Sequence, residues 1–236
     1  MTRYKRLAKG ESMETKAHSI EQIIDEHVKK WEMMRAAGRR EESGSYLITV
    51  SREPGTRGAA VAKGVAERLG LDLFHREIIQ LMAQSARINT RLAETLDEKG
   101  LSVLEDWLST LVNERHLWPD QYLKHLMKVV GAIGTHGNAV IVGRGASFIL
   151  PPKGRFRVRI VAPLKTRVQN VANDFGVPVE EAKRRVLRTE SDRRAFIRKY
   201  FHANISDPVN YDLVVNTGTL SLESAIDAII GATRQG

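Results

Sequence analysis

Four short apolar runs, separated by stretches long enough to hold helices, constrain this 236-residue chain most. They are Tyr46-Leu-Ile-Thr-Val50, Ala139-Val-Ile-Val142, residues 155–161 and Tyr211-Asp-Leu-Val-Val215. The first two read as strands buried on both faces of a parallel sheet, which are continuous and apolar; residues 155–161, with three arginines, and 211–215 read as further strands. Parallel neighbours need a crossover, and the intervening segments supply it. Apolar spacing predicts helices over 59–69, 75–86, 89–98, 103–112 and 120–135, then 164–174, 178–200 and 221–230. The expected architecture is an α/β fold with a parallel sheet flanked by helices.

The ends of the chain read differently. Residues 1–18 are polar and aperiodic and are expected to form an arm. Ser19 and Gln22 make a capping-box pair, so a helix is expected to open at Ser19 and to stop at Gly38. Ile20, Ile23, Ile24, Val28, Trp31 and Met34 form its apolar stripe, which suits packing on the main domain or on a second subunit. A homodimer through this helix is therefore a candidate assembly. Residues 39–45 read as a linker, giving an N-terminal unit (1–45) and a main domain (46–236). Trp107, Trp118 and Tyr122 read as packing residues.

The absence of cysteine excludes disulfides, thiolate metal sites and a cysteine nucleophile. No apolar run reaches the ~18–20 residues that span a bilayer, so a cytoplasmic protein without a membrane partner is expected. Lys and Arg outnumber Asp and Glu by 37 to 28, a formal net charge of +9, which favours anionic partners. Residues 183–199 alone carry eight basic and two acidic side chains, or +6. Nucleic-acid binders usually spread a basic stripe with interleaved aromatics. Charge this concentrated fits one polyanionic ligand better, and a nucleic-acid partner is not expected.

The first run leads into Ser51-Arg-Glu-Pro-Gly-Thr-Arg-Gly58 and a helix, a layout that aims backbone amides at phosphate. Ser51, Gly55, Thr56, Arg57, Gly58 and Ala59 are the candidate phosphate contacts. A strict phosphate loop has a lysine and then a hydroxyl, but Gly58 and Ala60 occupy those positions. On these residues alone an ordinary strand-to-helix turn accounts for the segment equally well. Gly143-Arg144-Gly145 lacks the third glycine of a dinucleotide fingerprint. Arg185, Arg188 and Asp192 share one helical face, and Arg184, Arg188 and Ser191 the adjoining one; a solvated helix face is the alternative, but clustering this dense favours a role against phosphate. No histidine pair has metal-ligand spacing, and no metal site is expected.

Several blocks in order carry a resemblance. Residues 48–58, Ala66-Glu-Arg-Leu-Gly70, Phe74-His-Arg-Glu-Ile-Ile79, Val140-Ile-Val-Gly-Arg-Gly-Ala146 and Tyr211-Asp-Leu-Val-Val-Asn-Thr217 resemble the cytidylate kinase-like family. The resemblance spans about residues 46–230. It implies a P-loop-type core, a helical insertion that binds nucleoside monophosphate (about 75–137) and an arginine-rich lid (about 176–206). It implies transfer of the terminal phosphoryl of ATP, with Mg²⁺, to a CMP- or dCMP-like acceptor. Gly55 to Gly58 would cradle the donor phosphates, and Arg52 and Arg57 are the nearest cations to replace the absent lysine. Arg144 matches an arginine that meets the acceptor phosphate. The family's next residue is Asp, here Gly145, and His75 stands where relatives commonly carry Asp. Arg185, Arg188 and Asp192 fall on the lid, whose third arginine position holds Ala195, leaving Arg194 or Arg198 to serve. The kinase is the leading reading; the departures at Gly58, Ala60, Gly145 and His75 support the alternative, a nucleotide-binding regulatory module without turnover.

Overall fold

The computed structural model describes residues 13–37, 46–117 and 119–233. Five strands form one sheet: β1 (Leu47–Arg52), β2 (Asp72–Phe74), β3 (Ala139–Val142), β4 (Phe156–Val161) and β5 (Leu213–Asn216). Their order is β2-β3-β1-β4-β5, and each neighbouring pair is parallel. The helices are α1 (Met13–Ala36), α2 (Gly58–Leu69), α3 (Arg76–Gln84), α4 (Ala86–Glu94), α5 (Glu98–Glu114), α6 (Gln121–His136), α7 (Ala146–Ile149), α8 (Leu164–Phe175), α9 (Val179–Phe201) and α10 (Leu222–Thr233). This is the expected α/β class, with β1 central and buried, as its apolar run requires.

The sequence reading omits β2, whose three residues are too few to give a period. They acquire strand geometry by pairing with β3, Asp72 opposite Ala139. The expected 75–86 helix ends at Gln84, because Ser85 turns extended and caps α4 by accepting from the Ile88 amide at 3.3 Å. Tyr211 lies outside β5. Its hydroxyl donates instead to the Ile205 carbonyl at 2.8 Å.

The core divides by sheet face. One cluster packs α3 to α6 and the end of α9, including Ile79, Leu126 and Phe201; the other packs α2 and α10, including Val61 and Ile229. A third, small cluster (Val168, Val171, Ala172, Ala182 and Val186) joins α8 to α9.

α1 begins at Met13 rather than Ser19, so Ser19 lies inside the helix and not at its start. Residues 1–12, Gly38, the 39–45 linker and Trp118 lie outside the described residues. The apolar stripe packs within the chain: Ile24, Val28 and Trp31 are no more than 2% exposed. Trp31 stacks on His136 at 4.3 Å with the planes 5° apart.

His136 Nε2 lies 2.8 Å from Thr95 Oγ1. Burial, aided by Lys30, pushes its pKa down to about 4 from 6.5. The unfolded chain therefore binds the proton first as pH falls. The stability that neutral His136 contributes is complete above pH 6.5 and is lost as pH falls toward about 4. In thermal melts at pH 7 and pH 4.5, His136→Phe should keep the ring stack and show a smaller fall in Tm than the native chain. An equal fall in both would contradict the assignment.

Candidate phosphate-binding site

β1 and β3 end side by side, and the chain leaving β3 makes a tight turn there. Gly143, Arg144 and Gly145 all have positive φ, at 80°, 52° and 72°. That conformation costs an arginine more than a glycine. At Gly143 the space is needed as well, since an added Cβ would lie 2.4 Å from Arg52 Nη1. The glycine thus lets the Arg52 guanidinium lie across the turn. At Gly145 a Cβ would lie 2.6 Å from the Phe201 ring, so an aspartate there could enter only if that ring moved.

A cavity of about 350 Å³ opens at this edge. Arg52 from β1, Arg76 from α3, Arg144 from the turn and Arg193 from α9 line it, with Ser51, Thr189 and Asp192. Phe148, Phe196 and Ile197 provide apolar wall. The carboxyl ends of parallel strands are where open α/β sheets bind ligands.

Arg76 pairs with Glu77 at 3.3 Å, whereas Arg52, Arg144 and Arg193 are under-compensated. Burial pulls the pKa of Arg52 down to about 10; Glu77 opposes this, while Arg76, Arg144 and Arg159 add to it. Burial pulls Arg193 down to about 9, reinforced by Arg52, Arg76 and Arg159, and its Nη1 donates to the Arg52 carbonyl at 2.6 Å. Arg144 is also lowered, chiefly by burial. It donates to Gln80 Oε1, while its buried Nε has no hydrogen-bond partner. Asp192 is the single carboxylate on the cavity lining. Crowded, partly dehydrated guanidinium groups gain most from a multiply charged oxyanion, which can accept forked hydrogen bonds.

The glycine loop lies beside this cavity. Thr56, 1% exposed, donates from Oγ1 to the Glu53 carbonyl at 2.9 Å and accepts from the Gly58 amide at 3.3 Å. Arg57 caps α2 in a left-handed conformation (φ 56°). A Cβ on Gly58 would lie 2.8 Å from Arg52 Cβ. A side chain at 58 and the present course of Arg52 therefore exclude each other. This gives the missing loop lysine a physical reason: a cation from the strand end already runs through that space.

Of the residues singled out from sequence, Ser51, Arg52, Arg144 and Asp192 meet at the cavity. The others do not line it. Arg57 lies 3.5 Å from Asp174, Arg185 pairs with Glu181 and lies over the Phe175 ring, and Arg194 pairs with Glu190. Arg188 is exposed on the outer side of α9. Gly55, Thr56, Gly58 and Ala59 form the neighbouring loop and helix start. His75 precedes α3 without capping it, its pKa lowered chiefly by burial. Arg76 and Arg193 escaped the sequence reading. The signal for Arg193 was present: Ala182, Val186, Ile197 and Phe201 set the inner stripe of α9, and residue 193 falls within it. Among the described residues, no group of three His, Asp or Glu side chains is placed to hold a metal. No helix among them is long and apolar enough to cross a membrane.

Residues 47–219 match the cytidylate kinase-like family. The chain belongs to that family. A cytidylate kinase from Ignicoccus hospitalis is 27% identical over 183 residues, covering 78% of this chain and 96% of the relative. One from Aeropyrum pernix is 27% identical over 188 residues, covering 79% and 99%. The crystal structure of an uncharacterized protein from Eubacterium ventriosum has the same fold (TM-score 0.67, 21% identity), covering 81% of this chain and 99% of that one. The sheet is thus the P-loop-type core of this family, with α1 lying before the matched residues.

The loop geometry gives a stability test. A Cβ on Gly55 (φ 82°) would lie 2.3 Å from the Arg167 carbonyl oxygen, whereas Gly70 (φ 66°) has nothing within 4 Å. In urea unfolding, Gly55→Ala should cost about 2 kcal/mol or more and Gly70→Ala about 1 kcal/mol. Equal costs would show that the loop is not packed on α8.

Proposed function

We propose that the chain is a nucleoside monophosphate kinase that moves the terminal phosphoryl of ATP to CMP, dCMP or a similar acceptor. The four-arginine cavity at the ends of β1 and β3 carries this reading. Family membership and the names of the relatives support the reaction class. In the proposed assignment Arg144 and Arg76 hold the acceptor phosphate. The loop from Gly55 to Gly58 holds the donor, and Arg52 stands between the two. Arg193 brings a fourth cation from α9, the helix of the proposed lid (about 176–206).

Phosphoryl transfer of this kind asks a protein for positioning and charge neutralisation rather than a covalent intermediate. Crowded guanidinium groups do both, because the charge shared among the transferring oxygens relieves their mutual repulsion. Phe148, Phe196 and Ile197 limit water, which would otherwise take the phosphoryl. Kinases of this class use Mg²⁺ with ATP. Position 60 is alanine, and among the described residues no group of three His, Asp or Glu side chains is placed to hold a metal; no step here is assigned to it. ATP phosphates and water complete such a shell in many kinases.

The Gly58 position favours a second reading, a nucleotide-binding module without turnover, because Arg52 must substitute for the lysine by a different approach. Calorimetry showing ATP and CMP binding without transfer would select it. A coupled assay should instead give ADP release that depends on CMP or dCMP. Arg144→Ala should raise the acceptor KM at least about tenfold and leave the ATP KM within about twofold. Arg193→Ala should lower kcat about 100-fold with little change in Tm. Equal damage to both KM values by Arg144→Ala would show that the two sites are misassigned.

A further inference from the structure

A second set of arginines lies behind the loop, and it is paired with carboxylates. Arg159 and Arg167 are 5% and 6% exposed. Arg167 Nε lies 3.3 Å from Glu53 Oε2 and donates to the Ala162 carbonyl at 2.9 Å, while Nη1 donates to Glu190 Oε2 at 3.0 Å. Glu53 also accepts from the Ala162 amide at 3.2 Å and has Arg159 Nη2 at 3.7 Å. Two buried cations face two carboxylates, one of which, Glu190, also pairs with the exposed Arg194. The cluster is a joint between three distant stretches: Glu53 in the loop, Arg167 in α8 and Glu190 in α9.

The joint belongs to a longer seam. Arg167, Asn170 and Asp174 share one face of α8, spaced i, i+3 and i+7, and each meets an alternate residue of the loop. Arg167 meets Glu53, Asn170 Nδ2 donates to the Gly55 carbonyl at 2.8 Å, and Asp174 lies 3.5 Å from Arg57 Nη2. The Arg167 backbone also closes the space that a side chain at Gly55 would need. Glu190 stands three residues before Arg193, so the joint that braces the loop also sets the approach of α9 to the cavity.

We propose that Arg167 is a positioning residue: through Glu53 it fixes the backbone of the donor loop, and through Glu190 it registers α9, and so Arg193, against that loop. This rests on reading the loop as the donor site. A buried ion pair adds little net stability, and fixing one geometry is the use that suits it here. The loop lacks the lysine and hydroxyl that would order it around a donor from within; α8 orders it from outside. The two carboxylates then have separable effects, Glu53 on donor affinity and Glu190 on the cation delivered during transfer.

The test uses the full chain. Arg167→Lys keeps the charge but loses the fork, and should raise the ATP KM about tenfold while the acceptor KM stays within about twofold. Glu53→Gln, close in shape and milder for folding, should move the ATP KM in the same direction. Glu190→Gln should lower kcat with the ATP KM nearly unchanged. Calorimetric ATP affinity should follow the KM changes for the first two variants. Lower Tm with an unchanged ATP KM, or equal shifts in both KM values, would make Arg167 structural only and overturn the inference. A native chain that binds ATP, with variants that bind it equally well, would overturn the inference and leave the donor-loop reading standing. A native chain that binds no ATP would overturn both.

Discussion

Positive charge held at the end of β1 is the feature around which the rest of the site is arranged. Arg52 leaves the sheet next to the Gly143 turn, and its side chain fixes what the neighbouring positions can be. Gly143 must lack a side chain, and so must Gly58 unless Arg52 moves. The Arg52 carbonyl in turn anchors Arg193 of α9 at 2.6 Å. One strand-end arginine thereby links the sheet, the loop, the turn after β3 and the arginine-rich helix.

Two arginine populations result, and their environments assign them different work. Arg159 and Arg167 are buried against Glu53 and Glu190. Arg52, Arg144 and Arg193 are depressed in pKa chiefly by burial, and fellow cations add to the effect. A site that dehydrates cations without pairing them holds free energy that only an anion releases. The carboxylates placed on the first set keep the second set available for a ligand.

Much of this was legible in the sequence, and the losses have physical causes. Four of the five strands were marked in the sequence, most plainly β1 and β3, because central parallel strands are apolar on both faces. β2 was missed because three edge residues carry no period and become a strand only by pairing with β3. Arg52 and Arg144 stand out in the sequence because Arg52 ends a recognisable strand and Arg144 follows one, and both line the cavity. On α9 the charge count drew attention to Arg185 and Arg188, which face outward, while Arg193 sat unnoticed on the apolar stripe. Reading helical faces by their apolar members would have placed it. Arg167 was out of reach of the sequence, since its partners Glu53 and Glu190 lie far from it along the chain.

We propose that the phosphate, more than the nucleoside, is what this cavity binds. Titration calorimetry comparing each nucleoside monophosphate with its own nucleoside, at low and high salt, tests this most directly. The account predicts that at least one monophosphate binds about 100-fold or more tighter than its nucleoside, with a difference that shrinks as salt rises. Equal affinity of nucleoside and monophosphate across the series, insensitive to salt, would contradict it.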